Sequence, residues 1–390
     1  MATLVPGPAL HITPSRALST ADLQFLHALD SLGRRRLARF LQSPSGTAPA
    51  SAAERAQVLA AATAFGAVPP MTDRWQQSIA ELDLAVCWPE GFPLRLRAIP
   101  DPPWALYRLG DVSDLEAPAV AMVGSRRATA RGEGWTEHVA ESLSRAGVRV
   151  VSGLALGIDG AAHRGALQAR SATEEAAPTL AVLGSGLALP TPRRHAGLAK
   201  RIVDLGGALL SEYAPREPAR PAQFPERTRL VTGLAEVLIV VEANLGSGSM
   251  VSARLALEQG REVLAVPGPV GFPSSAGCHA LIRDGAVLVE SADQILEQFE
   301  RAVPGNCVQG VTEAGHRSAV AAVPEDGHWK AAFSTDRALA RQLYETLGPH
   351  PESLTTLCAR VQSEPARVAH VLTLLELNGW VRRRAGGYYR

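Results

Sequence analysis

Val120-Ala-Met-Val-Gly-Ser-Arg-Arg127 and, further on, Val150-Val-Ser-Gly-Leu-Ala-Leu-Gly-Ile-Asp159 decide how this chain folds. Each is an apolar, β-branched run that stops at small residues and restarts with helix-like spacing, the pattern of a buried parallel strand delivering a loop to a helix N-terminus. Two such loops side by side predict an anion site. Amides at helix starts attract negative oxygen, glycines allow close approach, and Arg126 and Arg127 add planar forks matched to phosphate. A phosphate-bearing ligand is therefore the first expectation.

Outward from these loops, strand and helix patterns alternate from about 112 to 300. Strands are expected at 119–123, 148–152, 180–183, 208–211, 237–242, 262–266 and 286–289, and helices at 133–146, 158–168, 196–205, 249–259 and 293–299. Such alternation predicts an α/β fold, a Rossmann-like doubly wound parallel sheet with helices on both faces. Ligands of such sheets bind beyond the carboxyl ends of the strands. Those ends read Gly124-Ser-Arg-Arg127, Ser152-Gly-Leu154, Gly184-Ser-Gly186, Ser211-Glu-Tyr213, Glu242-Ala-Asn244 and Pro267-Gly-Pro269, nearly all small or polar.

The flanks differ in character. A small helical N-terminal domain is expected over 1–82, with helices at 21–30, 34–41 and 52–64; the Gly33 turn and the Arg-rich segment after it suit either a helix-hairpin-helix-like DNA contact or a bundle with a basic face. Proline and tryptophan crowd 83–110, which reads as an extended connector lying against the core of the 83–300 domain. Residues 301–334 lack periodicity and read as a linker. Over 335–390, helices at 338–347, 353–361 and 366–377, the last opened by Pro365, lead into a basic hairpin with a Gly-Gly turn, predicting a winged helix.

Composition narrows the class. Three hundred and ninety residues exceed one ordinary core, and the 20% charged and 46% hydrophobic fractions are those of a globular chain. No run reaches the roughly 20 apolar residues of a bilayer span, and the N-terminus lacks a secretory pattern, so a cytoplasmic protein is expected. Cys87, Cys278, Cys307 and Cys358 are too scattered for a zinc site or a disulfide framework. Net charge is only +1, so nucleic-acid binding would need a local basic surface. Lys200 and Lys330 are the only lysines, and every other basic side chain is arginine, a fork suited to bidentate phosphate contact.

Motif spacing excludes several chemistries. After the first strand there is no G-x-G-x-x-G and no acidic residue at ribose distance, which disfavours a nicotinamide cofactor, and no phosphate-binding loop of the GK[ST] type exists. No cofactor and no metal are expected. Asp159, Glu212 and Glu242 lie near strand ends, where carboxylates can run acid–base chemistry; capping a helix or pairing with arginine accounts for them equally simply. His163 follows Asp159 by one helical turn without a ligand cluster around it. Ser125, Ser152 and Ser185 lack a nucleophile elbow and suit hydrogen bonding to phosphate. Arg227 and Arg229 either face the cleft of Arg126 and Arg127 or pair internally with Glu212 or Glu242, while Arg193, Arg194 and Lys200 flank the third loop as outer phosphate contacts or solvated charge.

Taken in order, the two opening stretches, Leu180-Ala-Val-Leu-Gly-Ser-Gly-Leu187, Phe224-Pro-Glu-Arg-Thr-Arg229, Val240-Val-Glu-Ala243 with Ser247-Gly-Ser249, and Gly260-Arg-Glu-Val-Leu-Ala-Val-Pro-Gly268 resemble the DNA-processing protein A (DprA/Smf) family. The resemblance implies a non-enzymatic single-stranded DNA-binding protein. It would protect DNA and load the RecA recombinase in natural transformation and recombination, act as a homodimer, and have the single-strand-binding protein as a further partner. The DNA-binding residues so expected are Gly124, Ser125, Arg126, Arg127, Ser152, Gly153, Gly157, Arg193, Arg194, Lys200, Arg227 and Arg229. Leu156 replaces the family's usual Arg, Thr228 its usual Asn, and the loop 187–195 departs from its usual wording. Two other readings compete: a Rossmann-like nucleotide phosphoribohydrolase using Glu212 or Glu242, and a winged-helix regulator reading duplex DNA with 366–377.

Overall fold

A computed structural model describes residues 12–14, 18–32, 37, 39, 49, 51–71, 77, 79, 81–111, 114–302, 336–347, 354–361, 363–377, 381–384 and 387–389. The chain divides into two compact units, Met1–Gln309 and Gly310–Arg390. Most of the expected helix at 34–41, the expected linker 301–334 apart from its first two residues, which are helical, and residues 385–386 of the expected turn lie outside the described residues.

The first unit is built on one ten-stranded sheet. Its strands are β1 (Ile12–Pro14), β2 (Ala85–Cys87), β3 (Leu106–Gly110), β4 (Ala119–Gly124), β5 (Arg149–Ser152), β6 (Leu180–Val182), β7 (Ala208–Ser211), β8 (Val237–Val241), β9 (Glu262–Ala265) and β10 (Val287–Leu288). They run in the order β1-β2-β3-β7-β6-β5-β4-β8-β9-β10. From β7 to β10 every pairing is parallel, with Val120 opposite Val237 and Gly124 opposite Val241. The chain runs outward from β4 to β7, returns to lay β8 beside β4, and runs outward again to β10. Strand order therefore reverses between β4 and β8, and a crevice opens there at the carboxyl ends.

The helices α1 (Thr20–Leu32), α2 (Ala52–Ala64), α3 (Leu94–Arg97), α4 (Ala130–Arg145), α5 (Ile158–Ala172), α6 (Ala196–Asp204), α7 (Gln223–Gly233), α8 (Gly248–Glu258), α9 (Pro273–Arg283) and α10 (Ala292–Ala302) cover the sheet. Alternation along each strand splits the core in two. Leu180 and Val182 face α7 and α8, packing with Leu230, Val231, Leu234, Ala253 and Ala256. Ala181 and Leu183 face the other way, toward Leu167 of α5 and Ile202 of α6. Phe25 and Leu26 of α1 and Val58 and Leu59 of α2 belong to that second cluster, together with Trp88 and Trp104. Each fully buried leucine there contributes about 2 kcal/mol.

The proline-rich segment is more than a connector. β3 extends the sheet antiparallel to β7, with Tyr107 opposite Ser211, and β2 pairs antiparallel with β3 beyond it. Arg95 on α3 locks this segment to the amino end of the sheet. Its guanidinium donates to the carbonyls of Leu115, Glu116, Ala117 and Leu234 and to Glu236 at 2.7–3.0 Å.

The second unit holds α11 (Arg337–Thr346), α12 (Leu354–Val361), α13 (Pro365–Leu377) and the antiparallel pair β11 (Arg382–Arg384) and β12 (Gly387–Tyr389). Leu343, Leu357, Val368, Val371, Leu372 and Leu375 form its core, which Val381 and Tyr388 complete from the hairpin. Three helices closed by a two-stranded wing make this a winged helix.

Candidate nucleic-acid interface

A cleft of about 880 Å³ opens at the β4/β8 reversal. The loop after β4 supplies Gly124, Ser125, Arg126 and Arg127; the loop after β5 supplies Gly153 and Ala155; Arg227 and Phe224 come from α7, and Ser247, Gly248 and Ser249 from the start of α8. Crossing at this point requires glycine. A Cβ on Gly124 would strike the carbonyl of Val241 and the side chain of Ile158. Gly157 adopts φ +74°, and a Cβ there would strike the carbonyl of Ser125. The first two loops are thus held backbone against backbone, and Ile158 N–H donates to Ser125 O at 3.2 Å.

That bond changes the expected source of the positive field. The start of α5 is largely satisfied within the protein, because Gly160 N–H also donates to Ala155 O. Side chains supply the charge instead. Arg126 and Arg127 are exposed at the rim, and among the described residues neither forms an ion pair. Arg126 rests its guanidinium over the Phe224 ring at 5.2 Å, a cation–π contact that holds the charge at the mouth of the cleft. Ser125 Oγ accepts Arg127 N–H at 3.1 Å and shapes the turn.

Arg227 and Asp159 lie deeper. Arg227 is buried, donates through Nη1 to Val182 O at 2.6 Å, and packs against Gly153, where a Cβ would collide with its guanidinium. Asp159 Oδ2 accepts Ala155 N–H at 3.3 Å. Burial pushes its carboxyl pKa up, opposed by Arg227, by the Ala155 and Gly153 amides and by Arg126. Ser152 is also buried, and its hydroxyl is spent on Met122 O at 2.6 Å.

The remaining sequence candidates lie apart from the cleft lining. Arg229 donates to Glu212 at 2.7 Å. Lys200 pairs with Asp204 one turn along α6. Arg193 and Arg194 are exposed on a single 3₁₀ turn before α6, tied to the second loop by His195, whose Nδ1 meets Leu154 O at 2.9 Å. Leu156 is half-buried beside that loop. Sequence reasoning missed Phe224, Asn244 and Ser274 as cleft residues. Phe224 lies three positions before Arg227, but its cation–π partner is Arg126, which only the fold brings to it.

The carboxylates near the strand ends have structural bonds. Glu242 accepts the N–H and hydroxyl of Thr129 at the start of α4, and Glu212 holds Arg229. Among the described residues no cluster of three or more His, Cys, Asp or Glu side chains could hold a metal. No described helix is long and apolar enough to cross a membrane.

Comparison with known proteins places this architecture. Residues 83–300 match the family model described as DNA recombination-mediator protein A, and residues 330–387 match the DprA winged helix domain. Protein Smf of Escherichia coli is 38% identical over 301 residues, 77% of this chain and 75% of the relative. The DNA processing protein DprA of Streptococcus pneumoniae is 41% identical over 212 residues, 54% of this chain and 71% of the relative. The crystal structure of the pneumococcal protein superposes with TM-score 0.54 and 30% identity, covering 73% of this chain and 95% of that one. A Helicobacter pylori structure, described as giving insight into the single-stranded DNA binding mode of DNA processing protein A, superposes with TM-score 0.50 and 28% identity over 57% of this chain and 98% of that one. By these matches the chain belongs to the DNA recombination-mediator protein A family, the DprA/Smf proteins.

Proposed function

We propose that the cleft at the β4/β8 reversal holds the backbone of single-stranded DNA, and that the protein is a non-catalytic cytoplasmic binder that shields a strand and presents it to the RecA recombinase. The observation that carries this reading is the pair Arg126 and Arg127, exposed at the rim of a carboxyl-edge cleft and without an ion pair among the described residues. Exposed guanidinium forks without carboxylate partners are available to phosphate. The Helicobacter relative's described single-stranded DNA binding supports the choice of ligand. A homodimer would double the track of positive charge, and the strand displaced from single-strand-binding protein would be its substrate.

Titration of labelled oligonucleotides at several salt concentrations tests the reading. Each neutralised phosphate contributes about 0.7 to the slope of log affinity against log salt for a single strand. Arg126→Ala with Arg127→Ala should therefore flatten the slope by about 1.4 and weaken binding. Unchanged affinity would remove the cleft from consideration. RecA filament growth on pre-coated strands, with and without the protein, tests the loading step.

A further inference from the structure

The second loop of the cleft is held from behind by a residue that does not line it. Leu154 stands at φ +61°, in the left-handed region that a bulky side chain enters only where its surroundings impose it. Its side chain is fully buried with Leu167, Leu183 and Leu187, so the loop cannot relax there without drawing a core residue toward water. The peptide that follows is gripped at both ends. Leu154 O meets His195 Nδ1 at 2.9 Å, and Ala155 N–H donates to Asp159 Oδ2 at 3.3 Å. A carbonyl only accepts, so His195 is the donor and its Nδ1 carries the hydrogen. The imidazole is half-buried and packs against Gly160 in the first turn of α5, where a Cβ would strike Cε1. It stands on the 3₁₀ turn Arg193–His195, which His195 N–H closes onto Pro192 O at 2.8 Å.

We propose that His195 is a positioning residue for strand binding: by holding the Leu154 carbonyl it fixes the wall of the cleft that Gly153 and Ala155 form, without itself touching the strand. The proposal rests on the reading of the cleft as a single-strand site. Gly153 and Ala155 line the cleft, and His195 does not. Without the His195 bond, a left-handed leucine loses the partner of its carbonyl, and the wall it carries is no longer held in one geometry. The rim arginines stand on the first loop and keep their phosphates. The consequence is therefore separable, because affinity falls while the salt dependence, which counts neutralised phosphates, stays as it was.

Oligothymidine titrated into the full chain at several salt concentrations, alongside His195→Leu and His195→Asn, provides the test. Leucine fills the space beside Gly160 and offers no donor, whereas an asparagine amide nitrogen takes the place of Nδ1. His195→Leu should bind about 3- to 10-fold more weakly than the wild type, the range of one lost hydrogen bond, with an unchanged salt slope. His195→Asn should recover the wild-type affinity. A folded His195→Leu protein with wild-type affinity overturns the proposal, as does an asparagine variant that binds no better than the leucine one. A flattened slope overturns it as well, by making His195 a phosphate contact. Should His195→Leu fail to fold, nitrogen NMR of the wild-type ring decides: Nδ1 must carry hydrogen, and a bare Nδ1 overturns the assignment. If the wild type does not bind oligothymidine, or Arg126→Ala with Arg127→Ala binds as the wild type does, the underlying single-strand reading fails instead.

Discussion

Arg229 Nη2 donates to Glu212 Oε1 at 2.7 Å, and Asp101 approaches the Arg229 Nε at 3.4 Å. The two arginines of Phe224-Pro-Glu-Arg-Thr-Arg229 therefore have different duties: Arg227 lines the cleft and Arg229 ties α7 to the end of β7. Both partners of the tie are largely withdrawn from water, at 8% and 15% side-chain exposure. Removing one partner strands the other's charge, which costs about 3–5 kcal/mol. Arg229→Ala should lower the urea midpoint accordingly, yet leave the salt slope of DNA binding unchanged below its unfolding transition. A flattened slope would make Arg229 a phosphate contact.

The parallel strands were legible because a strand buried on both faces is a continuous apolar run, and β7 falls on the expected residues. Two cleft helices were not. α7 carries Pro225 in its first turn and α9 opens on Pro273; proline is tolerated there because first-turn amides have no partner in the helix. In sequence the same residues look like loop. β3 went unrecognised for a related reason, since a short strand and an extended connector share one pattern until the partners, here β2 and β7, are known. The positions of Arg227 and Arg229 depended on Asp159 and Glu212, which only the fold brings near. Arg126 and Arg127 were legible because they follow directly on β4.

A buried histidine gives the fold a pH limit. His163 on α5 is fully buried; its Nδ1 meets Thr179 Oγ1 at 2.8 Å, the Thr179 hydroxyl donates onward to Val150 O, and Nε2 has no partner among the described residues. Burial first, and then the positive fields of His195, Arg227 and Arg164, lower its pKa to about 3. The unfolded chain takes up that proton near pH 6.5. Stability from the neutral ring is thus complete above about pH 6.5 and is lost as pH falls toward 3, at up to about 1.4 kcal/mol per pH unit. His163→Asn keeps an N–H toward Thr179 and cannot titrate. Between pH 7.5 and 5.0 the wild type should lose about 2 kcal/mol more than this variant. Parallel pH profiles would refute the assignment.

Gly157 joins the first two loops, and its replacement should act on binding as well as stability. An alanine would carry strain at φ +74° and a collision with Ser125 O, and residues forced into such regions cost about 1–3 kcal/mol. Relief by shifting Ser125 would displace Arg126 and Arg127. Gly157→Ala should therefore weaken single-strand binding at temperatures where the protein remains folded. Gly134→Ala is the matched control: it lies inside α4 with nothing within 4 Å of the added Cβ, and should stabilise by about 0.5–1 kcal/mol without touching affinity. Equal effects of the two on binding would mean the loops are not coupled.

Glu242 crosses the strand reversal to cap α4. Its backbone sits at φ +50°, a conformation a non-glycine residue holds only when its surroundings fix it. Thr129 N–H supplies that fixation with a 2.9 Å bond to Oε2, and the Thr129 hydroxyl in turn accepts Gly132 N–H at 3.0 Å. Gly132 is required beneath, since a Cβ there would strike the Glu242 carboxylate. Charge-assisted bonds of this kind contribute about 1.5–3 kcal/mol, so Glu242→Ala should cost that much less the relief of strain. Glu242→Gly, which removes the strain as well, should be the more stable of the two. The reverse order, measured by denaturant midpoints, would show that the left-handed backbone at Glu242 carries no strain.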